Sequence, residues 1–327
     1  MIECRPLSRR IAVAALLASA AGTLPLLAQA NAGVVKFILP NAPGSGVDAM
    51  ARAAQPALAN ALGATVVIDN QPGAGGVIGL QALARSAPDG STLSVVSNNV
   101  VILPSVLKSV PFDMPRDFTP VALVGSTPMV LVVNPARVPA ANSRDFIALL
   151  KSKPDQLNFG SGGNGTILHL APELFLEAAG ASAKHIPYKG VGPMVSDLMG
   201  GQIDFAVTAL TSVQGQIKSG SLRAIGVLTP QRSPAAPDIP TLAEQGLTNF
   251  SVDAWFAVLG PKNMSAEVVK KTHDAVVAAF GDPAVKEAMA KQGNTIQVST
   301  PEEAQATFRA ELAKYAALVK KVGLQPE

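Results

Sequence analysis

The chain has 327 residues and a formal net charge of +3, with 26 Lys and Arg against 23 Asp and Glu. So even a balance excludes the basic footprint of a nucleic-acid or membrane-surface binder, and an aromatic content of 4% with one Trp excludes broad stacking platforms for bases or sugars. The single cysteine, Cys4, excludes a disulfide framework and a thiolate metal site.

Arg5, Arg9 and Arg10 stand before two short apolar runs, 11–21 and 24–28, and Ala28-Gln29-Ala30 supplies a small-residue cleavage signal. Gly22 and Pro25 interrupt the apolar stretch, which is short for a membrane span. Residues 1–30 are therefore expected to be a cleaved signal peptide that leaves Asn31 as the first residue. Ser8-Arg9-Arg10 faintly matches a twin-arginine signal, but Ala12 stands where a bulky apolar residue is expected, which favours the general secretory route. Cys4 precedes the apolar run, so it is no lipid attachment point, and it leaves with the signal. The exported chain must then hold itself together through its core.

Beyond residue 30, β-branched and apolar runs at 34–39, 65–68, 92–96, 130–133, 157–159, 203–207, 222–228 and 255–259 read as strands. Between most of them apolar residues recur at helical spacing, as in Met50, Ala54, Leu58 and Ala61, or Val191, Val195, Leu198 and Met199. This alternation predicts an α/β fold of mostly parallel sheets flanked by helices. Pro56 and Pro172 fall inside helical patterns and are expected to kink or shorten them. Three helices close the chain. Ser265 caps the first, Asp282-Pro283 opens the second, and Thr300-Pro301-Glu302-Glu303 supplies a capping box for the third, whose apolar face is Phe308, Leu312, Tyr315 and Val319.

Glycine-rich turns follow two of the strand-like runs. Pro43-Gly44-Ser45-Gly46-Val47-Asp48 follows the first, and Gly160-Ser161-Gly162-Gly163-Asn164-Gly165-Thr166 follows the run at 157–159. Two further turns lie at 71–76 and 188–193. A strand–glycine loop–helix unit aims backbone N–H groups and the positive end of a helix dipole at one point, which suits an anion. Two such units predict two lobes closing on one acidic ligand, with the chain crossing between lobes near Gly125–Pro128 and again near Ser251–Asp253.

Other chemistries fit poorly. Gly44-Ser45-Gly46 lacks the third glycine of a dinucleotide fingerprint, since Ala49 stands there, although Asp69 sits where a ribose-binding acid would fall. No G-K-[ST] follows any glycine loop, and no G-x-S-x-G appears. His169, His185 and His273 lack metal-ligand spacing. His169, three residues past Thr166, is placed either to face a ligand or to fill the core.

In order along the chain, several segments resemble the Bug family, the extracytoplasmic solute receptors of tripartite tricarboxylate transporters. They are Pro43-Gly44-Ser45-Gly46-Val47-Asp48, Asp69-Asn70-Gln71-Pro72-Gly73-Ala74-Gly75-Gly76, Ala87-Pro88-Asp89-Gly90, 158–166, Ile186-Pro187-Tyr188-Lys189-Gly190, Pro237-Asp238-Ile239-Pro240-Thr241, Trp255-Phe256 and Gly260-Pro261. The resemblance implies a periplasmic, non-enzymatic two-lobed binding protein of type II-like topology, each lobe a twisted sheet with flanking helices, joined by two crossing strands. With the strand pattern it places lobe 1 at 31–127 plus 253–327 and lobe 2 at 128–252. It implies a monomer without cofactor or metal, a small carboxylate ligand held mainly by loop amides, and delivery to a membrane permease.

Carried over by motif position, the expected ligand contacts in lobe 1 are Gly44, Ser45, Gly46, Asp48, Ser97 and Asn98. Those in lobe 2 are Ser161, Asn164, Gly165, Thr166, His169 and Thr208. Part of this set has another reading, since the glycines serve backbone conformation and Asp48 suits a helix cap. The chain departs from the family pattern at Asn41-Ala42, at Val47 and at Thr208, where many members carry Asp, so the ligand's identity stays open. A sensing subunit would present the same sequence pattern, whereas an exported enzyme, the other alternative, lacks any nucleophile–base or metal constellation in this sequence.

Overall fold

The apolar run at the start of the folded chain becomes β1 (Val34–Leu39), whose Phe37, Ile38 and Leu39 are buried. The computed structural model describes residues 33–326 apart from 249 and 253, so the expected signal peptide lies outside the described residues. After β1 come α1 (Gly46–Leu62), β2 (Thr65–Asn70), α2 (Val77–Ala84), β3 (Thr92–Ser97), α3 (Asn99–Val106) and β4 (Phe118–Thr127). The middle of the chain forms β5 (Met129–Val133), α4 (Ser143–Ser152), β6 (Asn158–Ser161), α5 (Ile167–Ala179), β7 (Lys184–Pro187), α6 (Val191–Met199), β8 (Phe205–Ala209), α7 (Leu210–Lys218) and β9 (Arg223–Val227). The remainder is β10 (Ala254–Pro261), α8 (Ala266–Gly281), α9 (Pro283–Lys291), β11 (Thr295–Ile296) and α10 (Pro301–Lys321).

The strands form two sheets, ordered β11-β4-β10-β3-β1-β2 and β7-β6-β8-β5-β9. Both are mixed. The βα alternation gives parallel pairing of β1 with β2 and β3, and of β6 with β7 and β8. Antiparallel pairs come from β10 against β3 and β4, from β11 against β4, and from β5 against β8 and β9, so the sheets are not mostly parallel as the alternation predicts. Only Pro128 separates β4 in one sheet from β5 in the other. On the return, the Val252 N–H donates to the Leu228 carbonyl beside the second sheet, and β10 begins at Ala254 in the first. One apolar cluster runs from Ile38 and Val96 through Leu131 and Phe159 to Phe205 and Tyr315, so the two sheets share a core.

Strand β4 does not announce itself in the sequence, because Pro120 and Gly125 interrupt it. Both prolines and glycines are tolerated in strands at irregularities, and the two residues flank the register shifts between β4 and β10. Helices α1 and α5 run through Pro56 and Pro172 without being cut short. A proline inside a helix costs about 3 kcal/mol, and burial of Met50, Ala54 and Leu58 along α1, and of Leu170, Phe175 and Leu176 along α5, offsets it. The closing helices follow the caps read from sequence. Ser265 Oγ accepts from the Val268 N–H, Asp282 accepts from Ala284 and Val285, and Thr300 and Glu303 form a reciprocal capping box.

Candidate functional site

The loop between β1 and α1 is organised from behind by one carboxylate. Asp48 Oδ2 accepts from the Gly44 N–H at 2.9 Å, while its Oδ1 accepts from Arg52 Nε at 2.9 Å and Asn70 Nδ2 at 3.0 Å. Asn70 Nδ2 also reaches the Asn41 carbonyl, tying the loop to the end of β2. Burial alone would raise the Asp48 pKa. The hydrogen bonds from Arg52, Gly44 and Asn70, with the Arg52 charge, outweigh it and hold the carboxyl below its ordinary value. Gly44 has φ of +78°, a conformation that suits glycine.

The second glycine loop is braced in a comparable way by histidines. His185 Nε2 and Ser161 Oγ are 2.6 Å apart, Thr166 Oγ1 donates to the Gly163 carbonyl, and the Gly165 N–H donates to His169 Nδ1 at 3.1 Å. The two imidazoles stack with ring centroids 3.7 Å apart, and His185 also stacks on Phe159. Burial, and then the neighbouring His169, push the His185 pKa down to about 4, so its ring is neutral at neutral pH.

Between the two sheets lies a cleft of about 640 Å³. Its walls are the starts of five helices: Ser45 to Val47 at α1, Asn99 at α3, Ile167 and Leu168 at α5, Gly190 to Gly192 at α6, and Ala209 with Thr211 and Ser212 at α7. Each N-terminus carries a partial positive charge of about half an elementary charge from its helix dipole. Thr166, Gly190 and Ala209 precede α5, α6 and α7 without a side-chain cap. Among the described residues the lining holds no Asp, Glu, Lys, Arg or His, and its apolar part includes Met129, Ala254 and Phe256. Such a cleft offers an anion dipoles and N–H groups in place of countercharge. Thr127 and Thr208 also face it. Both are buried, and among the described residues their hydroxyls have no hydrogen-bond partner.

Of the expected ligand contacts, the fold brings Gly44, Ser45, Gly46, Ser97 and Thr208 to this lining. The others are not part of it. Asp48, 4% exposed, is turned behind its loop, and Asn98 is buried with Nδ2 toward the Tyr315 hydroxyl. Ser161 and His169 are buried in the histidine brace, and Gly165 is packed on Val106 of α3. Thr166 bonds back to Gly163, and Asn164 is exposed away from the lining. The physical reason is the register of α5. Its first residues, Ile167 and Leu168, meet the cleft, so His169 lies beneath the loop, where it accepts the Gly165 N–H four residues back.

Other lining residues lie outside the expected set. The turn at 188–193 is a fourth glycine loop in the sequence, and Asn99 follows directly on Asn98. Gln292 and Asn294, between α9 and β11, carry no sequence signal at all. The third loop, at 71–76, serves packing instead, leading into α2, whose Gly79 lies against Pro40 and the Gln71 carbonyl.

Comparison with known proteins places these features in a family context. A family model described as the tripartite tricarboxylate transporter family receptor matches residues 50–324. BugT of Bordetella pertussis is 37% identical over 291 residues, covering 88% of this chain and 89% of that protein. The solved structure of periplasmic binding protein BugD matches with a TM-score of 0.79 at 32% identity, over 90% of this chain and 99% of that one. Rpa4515 of R. palustris, solved with adipate, matches with a TM-score of 0.81 at 27% identity, over 90% and 98% of the two chains.

Proposed function

Because the chain belongs to the tripartite tricarboxylate transporter receptor family, we propose that this solute-binding receptor captures a small carboxylate in the cleft between its sheets and presents it to a membrane permease. The observation that carries this reading is the meeting of five helix N-termini at a lining that, among the described residues, holds no charged side chain. A carboxylate there meets the positive ends of α1, α5, α6 and α7 and the N–H groups of their first turns, beyond the Gly44, Ile167 and Leu210 N–H groups that Asp48, Asn99 and the Pro128 carbonyl already occupy. Capture by dipoles suits a receptor, which must hold its ligand and then release it.

Residues 31–127 plus 253–327 and residues 128–252 act as two lobes that close on the ligand. The partition of the strands between two sheets supports this division. Residues 1–30 direct export to the periplasm and are removed, and the receptor works as a monomer without turning its ligand over. Asp48, Ser161 and His169 serve by shaping the two loops, not by touching ligand.

The test is a thermal-shift and calorimetric screen of the secreted protein against aliphatic, hydroxylated and aromatic acids and amino acids. A ligand at 100 times its Kd adds about 2.7 kcal/mol of stability. Failure of every acid to bind would overturn the reading. Mass spectrometry of the secreted chain tests cleavage after Ala30, size-exclusion chromatography tests the monomer, and capture from solubilised membranes tests the permease.

A further inference from the structure

Glu173, His169 and the backbone nitrogen of Gly165 follow one another at the second glycine loop, and ligand capture makes no use of their order. The Gly165 N–H donates to His169 Nδ1 at 3.1 Å, and His169 Nε2 lies 3.7 Å from Glu173 Oε1. An imidazole that accepts at Nδ1 carries its proton on Nε2, the side that faces the carboxylate. A carboxylate thus orients a buried base, and the base is within hydrogen-bond reach of one backbone proton.

The residue before Gly165 is Asn164, and the two make the chain's single Asn-Gly pair. In such a pair the glycine nitrogen closes a five-membered ring on the asparagine side-chain carbon. No Cβ shields the nitrogen, and the reacting groups belong to adjacent residues, so their effective concentration is high. Asn164 is exposed, which lets water in and ammonia out. Residue 165 is held as glycine by the fold: its φ is +68°, and Val106 Cγ2 would stand 2.5 Å from a Cβ there.

We propose that Asn164 is a site of self-modification by imide formation, with His169 as the base and Glu173 positioning it. The Gly165 nitrogen forms a bond to Asn164 Cγ as its proton passes to His169 Nδ1. The Cγ–Nδ2 bond then breaks, and the side-chain nitrogen takes up that proton and leaves as ammonia. Water opens the imide at either carbonyl, leaving aspartate or its isoaspartyl isomer at position 164. One water is consumed, one ammonia is released, and nothing is oxidised or reduced. The product adds a negative charge to the loop and, in the isoaspartyl form, an extra main-chain methylene ahead of α5. The second loop therefore has a finite chemical lifetime set by its own side chains.

The experiment incubates the full secreted protein at neutral pH and 37 °C and maps its peptides by mass spectrometry over time. Residue 164 is expected to show the mass gain of amide-to-acid conversion, part of it as isoaspartate. The rate should be at least fivefold higher in the native protein than in the same protein unfolded in guanidinium chloride. A folded backbone ordinarily hinders this ring closure, so that order is diagnostic of a built-in base. Asn142-Ser143 is the internal reference and should stay unmodified. There Asn142 Oδ1 caps the Asp145 N–H, and the Ser143 N–H donates to Gln245 Oε1, which is no base. Glu173→Gln should slow modification of residue 164 at least threefold. His169→Gln, which keeps an acceptor but no basic nitrogen, should slow it at least fivefold. If the imidazole only stiffened the loop, both variants would be modified faster than wild type, and that result would overturn the proposal. So would a native rate at or below the unfolded one, or the absence of any mass gain at residue 164. Should His169→Gln not fold, the native-to-unfolded ratio and Glu173→Gln still decide.

Discussion

The backbone N–H of Ile167 donates to Asn99 Oδ1 at 3.0 Å, so a side chain that follows a strand of the first sheet satisfies the start of a helix packed on the second. Thr166 supplies no side-chain cap to that helix, and Asn99 takes over the task from across the cleft. The bond couples the conformation of the helix start to the separation of the two sheets.

Asn99→Ala strands the N–H of the buried Ile167 and should cost about 1–3 kcal/mol, read by urea denaturation. Asn99→Asp keeps the acceptor and should restore most of that stability. It also places a carboxylate in a lining that has none among the described residues, so carboxylate affinity should fall tenfold or more. Restored stability with undiminished affinity would show that Asn99 stands outside the anion's field.

Asp48 braces the first glycine loop through Gly44, Arg52 and Asn70. Its pKa is lowered in the folded protein, so its contribution is present above the ordinary carboxylate value of 3.8 and is lost as pH falls through the lowered one. Asp48→Asn should cost about 1.5–3 kcal/mol at neutral pH, the scale of hydrogen bonds to a charged group. Below pH ~4 the gap between variant and wild type should narrow. A constant gap in acid denaturation curves would place the acid-sensitive carboxylates elsewhere.

Gly165, with φ of +68°, has Val106 of α3 where a Cβ would stand, at 2.5 Å from Cγ2. Gly165→Ala should destabilise by about 2–4 kcal/mol, combining left-handed backbone strain with overpacking. Val106→Ala alone should cost about 1–2 kcal/mol, yet the double variant should be more stable than the sum of the two predicts. Strict additivity in the double-mutant cycle would mean that the loop and α3 do not press on each other.

The His185 ring is held near a pKa of about 4, below the ordinary histidine value of 6.5. Between those values the unfolded chain binds a proton that the folded chain refuses, so stability falls as pH drops through the window. His169, stacked on it, and Glu173, 3.7 Å from His169 Nε2, are the titratable groups facing this pair. His185→Phe keeps the aromatic stack and removes the titration. Its melting temperature should be lower than wild type at pH 7, because Ser161 loses its shortest hydrogen bond and keeps only those to Gly163, but should decline less steeply between pH 6.5 and 4.

Ligand binding should depend weakly on salt. Clustered Lys or Arg would be screened, whereas dipoles inside a desolvated cleft are screened much less. Raising the ionic strength from 10 mM to 500 mM should change Kd by less than tenfold, and a hundredfold loss would reveal a basic side chain in contact with the ligand.

Much of this molecule is local and so could be read along the chain. The caps at Ser265, Asp282 and Thr300, the β1–glycine loop–α1 unit and the alternation of strands and helices each depend on neighbours a few residues apart. The run of family motifs likewise needed only order and spacing. What escaped was decided by partners distant in sequence. Strand β4 carries Pro120 and Gly125 and is recognisable only from its register with β10, more than a hundred residues later. Ser161 and His169 have the chemistry of ligand contacts, but His185, supplied by β7, draws them into a buried brace. Asn99 and Thr127 are unremarkable in the chain, and they become part of the cleft because β3 and β4 both flank β10 and the chain crosses at Pro128. Side-chain type states what a residue can bond. Which bond it makes follows from what the tertiary fold leaves within about 3 Å of it.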